Sequence, residues 1–142
     1  METMVGLKVL REVEIQTFPE VSATLSVLEL SQKIPFSVQR IYYISGTNEN
    51  TVRGKHAHKE LSQVFLATSG SFSLYVHDGA SIEKVRVVSH GKGYIVPPGV
   101  WRILEDWSED AVCLVLASHA YDESDYIFDF NEFLVWKNGQ EK

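Results

Sequence analysis

The sequence predicts an all-β protein that forms one domain over residues 1–142 and ends in a short helix. Two observations predict the sheets: apolar and polar residues alternate with a period of two, and turn-forming residues recur about every 8–12 residues. A third observation predicts one domain, since no internal repeat, low-complexity segment or linker divides the chain. A chain of 142 residues is long enough to bury a core of its own.

The individual strands are predicted from runs rich in β-branched and aromatic residues. Pro19 and Pro35 interrupt the early runs, and Asp78-Gly79 is typical of a tight hairpin turn. In chain order, the predicted strands are residues 11–18, 23–30, 36–44, 63–68, 72–76, 84–88, 93–96, 101–105 and 111–117. Short strands at this spacing indicate a sandwich or a barrel.

The last part of the chain has a helical pattern. Asp129 and Glu132 are spaced as in a capping box, in which two side chains satisfy the free N–H groups of a helix start. Phe130 and Phe133 lie three residues apart and would share a face of that helix. The pattern predicts a short helix that begins after Asp129, packs against the sheets and ends at Gly139.

The composition excludes several classes of function. The formal net charge of −6 and the pI near 5.3 argue against a nucleic-acid partner, which requires a basic face. No apolar run approaches the roughly 20 residues that span a bilayer, and the first residues lack the layout of a signal peptide. Cys113 is the single cysteine, and its apolar neighbours predict a buried, inert thiol. We therefore expect a cytoplasmic protein that acts away from nucleic acids and membranes.

A polar stretch in the middle of the chain carries the candidate site. His56 and His58 stand two apart, so their side chains point to the same face of a strand. Two spaced patterns begin here and continue downstream, His56-x-His58-x4-Gln63-x6-Gly70 and Gly91-x5-Pro97-x-Gly99-x2-Arg102. Their order and spacing resemble the two motifs of the cupin family. The resemblance implies a cupin jelly-roll barrel.

Two departures from the cupin motifs predict that no metal is bound. Gln63 stands where the family has a glutamate ligand, and Arg102 stands where it has a histidine. An amide is a poor ligand for zinc, iron or manganese, and a guanidinium has no free lone pair. Two histidines are too few for a firm site, because catalytic zinc sites generally use about three protein ligands. We expect neither a metal nor another cofactor.

Most of the chain is also similar to the sugar-nucleotide 3,4-ketoisomerases, which lack a metal in the active site. The matching positions are residues 34–44, 53–59, 70–71, 78–79, 115–118 and 121–127, together with Gln63. The resemblance implies an isomerase that converts a nucleotide-linked 4-keto-6-deoxyhexose, with dTDP as the expected nucleotide, into its 3-keto isomer. The reaction would pass through an enediolate.

The resemblance also implies the catalytic residues. His56 and His58 would form the proton-transfer pair, with His58 slightly favoured as the base at carbon. A histidine suits this role because its ordinary pKa of about 6.5 lets it take and return a proton near neutral pH. Tyr42 or Tyr43 would stabilise the enediolate by hydrogen bonding. Alternation allows only one of them to face the interior, and Arg40 shares a face with Tyr42.

The expected substrate-binding residues are mainly cationic or aromatic. Arg53 and Arg40 are the candidates for the diphosphate, because a guanidinium fork matches phosphate oxygens. Trp101 is expected to stack on the base or to close the pocket. Gln63 and Arg102 complete the expected set of substrate contacts.

Three departures from the ketoisomerase pattern fall at binding positions. Ser22 stands where the family usually has an arginine that holds the diphosphate, and Phe128 stands where another arginine is usual. Arg102 replaces a histidine that is common in the family. Loss of one charge-assisted phosphate contact costs about 1.5–3 kcal/mol. These departures predict an active isomerase with an altered substrate preference.

Other interpretations of the sequence remain open. One is a non-catalytic cupin that binds a sugar nucleotide or modulates a biosynthetic partner enzyme, and another is a metal-dependent cupin enzyme. The two histidines can also be satisfied polar groups of a core. The ketoisomerase resemblance further implies a homodimer that exchanges N-terminal strands, with residues 13–18 as the candidate segment.

Overall fold

The computed structural model describes residues 6–140, which form two facing antiparallel sheets of five strands each. Sheet I contains, in spatial order, β1 (Arg11–Val13), β9 (Gly93–Val96), β6 (Gln63–Ser69), β11 (Val112–Ala117) and β4 (Arg40–Ile44). Sheet II contains β12 (Tyr126–Ile127), β5 (Arg53–His58), β10 (Trp101–Glu105), β7 (Ser71–His77) and β8 (Ile82–Val88). Outside the two sheets lie the hairpin β2 (Gln16–Pro19) with β3 (Thr24–Val27), the one-turn helix α1 (Leu30–Lys33) and the helix α2 (Phe130–Gln140).

The strands β4 to β11 follow a jelly-roll path. The chain passes from one sheet to the other at almost every connection, which gives the orders β9-β6-β11-β4 and β5-β10-β7-β8. Eight strands arranged in this way in two packed sheets are typical of jelly rolls. The all-β prediction is therefore confirmed, although the two sheets stay separate and do not close into a barrel.

The main core lies between the inner faces of the two sheets. Phe65 from sheet I and Phe72 and Leu104 from sheet II are buried there. Trp107 stacks on Phe72, with ring centroids 5.0 Å apart. Full burial of each large apolar side chain contributes about 1.5–3 kcal/mol. Because strand residues alternate between faces, this core also fixes which polar side chains point into the interior.

Helix α2 covers the outer face of sheet II. A carboxylate oxygen of Asp129 accepts a hydrogen bond from the backbone N–H of Glu132 at 3.0 Å, so the predicted start of the helix is confirmed. The prediction that Gly139 ends the helix is wrong, since α2 continues through it to Gln140. Gly139 is not among the glycines with positive φ, so it does not act as a left-handed cap. Within residues 6–140, no helix is both long and apolar enough to cross a membrane.

The early predicted strands are shorter than expected. Residues 11–18 are divided between β1 and β2, residues 23–30 contain β3 and the start of α1, and the strand predicted at 36–44 begins only at Arg40. Ile34, Phe36 and Val38 pack instead on the outer face of sheet I. Their apolar pattern therefore reflects a covering segment rather than a strand.

Candidate active site

Two histidines of β5 meet inside the jelly roll near one end of the sheets. His56 and His58 project from the inner face of sheet II, whereas Ala57 between them packs beneath α2. The Nε2 atoms of the two rings lie 3.1 Å apart, and the rings are nearly perpendicular. The spacing of two along the strand thus brings both imidazoles to one point, as the sequence predicts.

The chain around β12 adds a carboxylate and aromatic rings to this pair. Tyr126 is the register partner of His58, and its ring centroid lies 4.3 Å from that of His58 and 4.8 Å from that of His56. Asp125 precedes it, and its Oδ2 lies 3.0 Å from Nδ1 of His58. The ring of Phe128 stacks on Tyr126 with centroids 5.1 Å apart. Residues 125–128 therefore supply both a hydrogen-bond partner and an aromatic wall.

Arg102 brings a buried positive charge to the histidines. It is the register partner of His56 on β10, and its Nη2 donates a hydrogen bond to Nε2 of His56. The guanidinium lies over the ring of Phe65 at 5.0 Å, and the residue is only 3% exposed. Its Nε and Nη1 have no hydrogen-bond partner among residues 6–140. Since unpaired buried donors are costly, these N–H groups are suited to donate hydrogen bonds to oxygen atoms of a ligand.

This environment lowers the pKa of both histidines. Burial is the main cause for His56, and the positive charge of Arg102 and the neighbouring His58 add to it. Burial and Arg102 also lower the pKa of His58, while the hydrogen bond to Asp125 acts in the opposite direction. Burial disfavours the charged imidazolium, and so does a nearby cation. Both rings are therefore neutral near pH 7 and available to accept a proton.

Sheet I contributes a second group of polar side chains. Gln63 on β6 donates a hydrogen bond from Nε2 to the hydroxyl oxygen of Tyr42 on β4, at 2.9 Å. The guanidinium of Arg40 lies 5.5 Å from the centre of the Tyr42 ring. Arg40 also lines a cavity of about 30 Å³ together with His58 and Asp125. The two sheets thus present cationic and hydroxyl groups to the same end of the interior.

A β-bulge controls the position of Arg53. In the pairing of β5 with β10, His56 is opposite Arg102 and Arg53 is opposite Leu104, so β5 holds one extra residue between these pairs. Gly54 has a positive φ of 72°, as in the bulge type that begins with a left-handed glycine. The extra residue brings Arg53 to the face of His56 despite their odd spacing. The side chain is exposed, so Arg53 lies at the rim rather than in the interior.

Two predicted site residues lie away from this group. Tyr43 is 71% exposed, because alternation along β4 sends it to the outer face when Tyr42 points inward. Trp101 lies on the outer face of sheet II, where it packs against Phe130 and Phe133 of α2. The expectation that Tyr43 stabilises the enediolate and that Trp101 stacks on the base is therefore corrected: the first is a surface residue, and the second anchors the helix.

The side chains at the cupin metal position do not fit a metal ion. Gln63 uses its amide nitrogen as a donor to Tyr42, and Arg102 donates to the nitrogen of His56 that would have to coordinate. Within residues 6–140, no three His, Cys, Asp or Glu side chains form a group that could hold a metal. The donor set is one of hydrogen bonding rather than coordination.

Comparisons with known proteins agree with this arrangement. The family model described as "FdtA: WxcM-like, C-terminal" matches residues 9–138. TDP-4-oxo-6-deoxy-alpha-D-glucose-3,4-oxoisomerase of Aneurinibacillus thermoaerophilus is 42% identical over 110 residues, which cover 78% of this chain and 79% of that protein. The chain belongs to this family of sugar 3,4-ketoisomerases. The predicted family and the predicted enzyme class are thereby confirmed.

Solved structures of ketoisomerases have the same fold. A 3,4-ketoisomerase from Helicobacter canadensis superposes with a TM-score of 0.86 at 35% identity, covering 91% of this chain and 97% of that one. QdtA, a sugar 3,4-ketoisomerase from Thermoanaerobacterium thermosaccharolyticum in complex with TDP, gives 0.88 at 29% identity, covering 95% and 98%. The predicted cupin jelly roll with a C-terminal helix is therefore confirmed.

Sequence reasoning did not single out two residues of the candidate site, Asp125 and Tyr126. They lie about 70 residues beyond the histidines, and Phe128, noted above for the arginine that it replaces, follows them. Only the pairing of β12 with β5 brings them to the site. The one available signal was the likeness of residues 121–127 to the ketoisomerase pattern.

Proposed function

We propose that this protein converts a TDP-linked 4-keto-6-deoxyhexose into the corresponding 3-keto sugar by proton transfer at a histidine pair. The observation that carries the proposal is the meeting of His56 Nε2 and His58 Nε2 at 3.1 Å beside the buried Arg102, in a chain of the ketoisomerase family. QdtA has been crystallised with TDP, and a variant of it with TDP-4-keto-6-deoxyglucose. Both ligands support a TDP-sugar as the substrate.

The reaction moves two protons and needs no oxidant. In the substrate, C3 carries a hydrogen and a hydroxyl group and C4 is a carbonyl; in the product these positions are exchanged. One proton leaves C3 and one leaves the C3 oxygen, while C4 and its oxygen each gain one. Loss of the C3 proton leaves its electron pair in the enediolate, which returns it when C4 is protonated. A pair of acid–base groups at one point matches this exchange.

The histidine pair is suited to hold the proton between these steps. When both rings are neutral, Arg102 donates to Nε2 of His56 and Asp125 accepts from Nδ1 of His58, so the two facing Nε2 atoms carry no hydrogen. One added proton would lie between them. The lowered pKa values favour its release to the enediolate, because burial and Arg102 disfavour a charged pair. We leave open which of the two rings acts at carbon.

Two groups are proposed to stabilise the negative charge that forms on the sugar oxygens. Tyr42 accepts a hydrogen bond from Gln63, so its own hydroxyl hydrogen is free to be donated. Arg102 has two buried nitrogen donors, Nε and Nη1, with no partner in the described part of the chain. Donors held in place in a buried site stabilise developing charge without reorganisation. We assign Gln63 to positioning Tyr42.

The diphosphate is proposed to bind at the rim through Arg53 and Arg40. Arg53 is exposed on the face of His56, and Arg40 lies beside Tyr42 near His58. Phe128 is 58% exposed and stacks on Tyr126, and it offers an apolar platform where an arginine is usual in the family. Because apolar surface replaces a positive charge at this position, we expect a substrate preference that differs from that of relatives.

An isotope experiment tests the reaction. The purified protein is incubated with TDP-4-keto-6-deoxyglucose in D₂O, and the sugar carbons are followed by NMR. We expect a 3-keto product, with solvent deuterium at C4 in those turnovers in which the proton held by the histidine pair exchanges with D₂O before it is returned. His56→Asn and His58→Asn are expected to reduce kcat by at least about 100-fold, the usual scale of acid–base catalysis.

The adjacent tyrosines provide a matched control. Tyr42→Phe removes the proposed donor to the enediolate, whereas Tyr43→Phe removes the same atom from the outer face of the same strand. We expect a lower kcat for the first and an unchanged kcat for the second. Absence of a 3-keto product together with absence of deuterium at C3 and C4 would overturn the proposed function.

We further propose a homodimer in which the N-terminal strands pack on the partner. Phe18 and Leu25 are exposed apolar residues of the β2–β3 hairpin, and they support this proposal. An apolar groove of about 440 Å³ lies between this hairpin and Leu66 and Leu114 on the outer face of sheet I. Sedimentation should give twice the chain mass, and Phe18→Asp should give monomers. Val135→Asp, an exposed apolar position on α2, should leave the dimer intact.

Finally, we propose that residues 1–142 act as one domain in the cytoplasm. The shared core of the two sheets and the extent of the family model support one domain. A charged sugar nucleotide crosses membranes poorly, so the enzyme must act where its substrate is made. Limited proteolysis and cell fractionation test the two parts of this proposal.

A further inference from the structure

Asp125 holds two different groups with its two carboxylate oxygens. Its Oδ2 lies 3.0 Å from Nδ1 of His58, and its Oδ1 accepts a hydrogen bond from the backbone N–H of Glu60 at 2.7 Å. The side chain is only 12% exposed. Both partners lie on or just after β5, so the carboxylate bridges the end of this strand to β12.

The carboxylate determines which nitrogen of His58 carries hydrogen. An ionised carboxylate only accepts hydrogen bonds, so Nδ1 of His58 must be the donor. In the neutral ring the hydrogen-free nitrogen is then Nε2, which faces His56. Without Asp125, nothing in this contact would favour one tautomer over the other.

We propose that Asp125 is a positioning residue that fixes His58 in the Nδ1–H tautomer, so that Nε2 is the atom that takes and returns the substrate proton. Only the transfer of the substrate proton by Nε2 rests on the proposed function. The tautomer itself is a property of the free protein.

Main-chain hydrogen bonds, and not the carboxylate of Asp125, hold this segment against β5. The main-chain carbonyl of Asp125 accepts a hydrogen bond from the N–H of Lys59 at 2.9 Å, and Tyr126 pairs with His58 in the sheet. These backbone contacts do not depend on the side chain at position 125. Replacing the carboxylate therefore tests the tautomer while leaving β12 paired.

Asp125→Asn is expected to reverse the tautomer at nearly constant shape. The N–H of Glu60 can only donate, so it orients the amide oxygen of the new side chain toward itself. The amide NH₂ then faces Nδ1 of His58, which must become the acceptor. The hydrogen of the ring moves to Nε2, and the proton acceptor is lost, as when an asparagine replaces the aspartate of a catalytic triad.

Nitrogen NMR tests the tautomer directly. The ¹⁵N shifts of His58 are measured in the ligand-free protein near pH 7.5, in the native chain, in Asp125→Asn and in Asp122→Asn. Asp122 is an exposed carboxylate of the same turn that accepts from Ser124 and serves as the control. We expect Nδ1–H in the native chain and in Asp122→Asn, and Nε2–H in Asp125→Asn. An Nε2–H ring in the native chain would overturn the proposal, whether or not the variants fold.

Kinetics test the consequence for the reaction. Asp125→Asn should lower kcat by at least about 100-fold with little change in KM, because the ring remains but its acceptor atom is lost. A kcat within twofold of the native value would overturn the proposal and leave the proposed isomerase intact. Conversely, a correct tautomer in a protein that forms no 3-keto sugar would overturn the proposed function alone.

The pH profile separates positioning from a merely structural role. The charged and titratable groups near His58 are Asp125, Arg102, Arg40, His56 and Tyr126, and Glu60, His119 and Asp122 line the same small cavity. Asp125 is the only one of them that raises the pKa of His58, so its replacement should move the acid limb of kcat/KM to lower pH. An unshifted acid limb in the residual activity of Asp125→Asn would contradict the proposal.

Discussion

The side-chain amide of Gln63 on β6 donates a hydrogen bond of 2.9 Å to the hydroxyl oxygen of Tyr42 on β4, across the intervening strand β11 of sheet I. Gln63 is 1% exposed, so neither water nor another orientation easily replaces this contact. The cupin motif that this stretch resembles has a glutamate metal ligand at the position of Gln63. Here the same position organises a hydroxyl group instead, and this exchange converts a coordination site into a hydrogen-bonding site.

Removal of the amide should destabilise the protein through Tyr42. Gln63→Leu keeps a similar volume but removes the hydrogen bond to the part-buried hydroxyl of Tyr42, which should lower the free energy of unfolding by about 0.5–1.5 kcal/mol. The double variant with Tyr42→Phe should lose less than the sum of the two single variants. Urea unfolding of all four proteins gives the coupling energy. Strict additivity would show that the two side chains do not interact.

The lowered histidine pKa values predict a loss of stability in mild acid. The pKa falls to about 4 for His58 and to about 2 for His56, both below the value of 6.5 for a free histidine. The unfolded chain therefore binds more protons below pH 6.5, so acid favours unfolding. The two histidines destabilise the folded state least above that pH. The free energy of unfolding should fall by about 1.4 kcal/mol per pH unit per histidine as the pH drops from 6.5 toward these values.

Variants isolate this contribution from that of the carboxylates. His58→Gln should flatten the dependence of the free energy of unfolding on pH between 6.5 and 4.5. His119→Gln, at an exposed position, should leave it unchanged. Equal slopes for His58→Gln and the native protein would contradict the pKa shift.

Glu83 on β8 holds the N-terminal segment against sheet II. Its carboxylate accepts hydrogen bonds from the backbone N–H groups of Lys8, Val9 and Leu10 at 2.6, 2.9 and 2.9 Å. Glu83→Gln replaces a charged acceptor by a neutral amide with one oxygen, and should cost about 1–3 kcal/mol. Hydrogen exchange at residues 8–10 should accelerate. The exposed Glu109→Gln serves as the control, and unchanged exchange in Glu83→Gln would contradict the role.

The alternation of residues along each strand predicted which side chains share a face. It predicted less well which residues come together in the site. The spacing of His56 and His58 fixed their common face, and the shared face of Arg40 and Tyr42 favoured the inward tyrosine correctly. Trp101 was misplaced because an outward position on a strand is buried when a helix covers it. That cover is a tertiary contact which strand periodicity does not reveal.

The remaining site residues depend on pairing between distant segments. Asp125 meets His58 across 67 positions of the chain, and nothing in the sequence of either segment specifies the pairing of β12 with β5. Arg53 is a subtler case, since strict alternation along β5 would place it on the face opposite to that of His56. The left-handed Gly54 was the available signal, because a glycine within a strand often marks a bulge.

Replacement of Gly54 tests whether the bulge matters for activity as well as for stability. Gly54→Ala places a side chain at a φ of 72°, which costs about 1–2 kcal/mol. A Cβ there would also lie 3.6 Å from Nη1 of Arg102, so relaxation of the strand would move the guanidinium that contacts His56. We therefore expect reduced stability together with reduced kcat.

Gly46 provides the matched control for this change. Its φ is 71°, and a Cβ at this position would meet no atom within 4 Å. Gly46→Ala should therefore lose a similar amount of stability, measured by urea unfolding, while kcat stays close to the native value. If both variants lose kcat equally at a temperature where both are folded, the bulge has no special part in placing Arg102. A selective loss in Gly54→Ala ties the left-handed glycine to the geometry of the histidine pair.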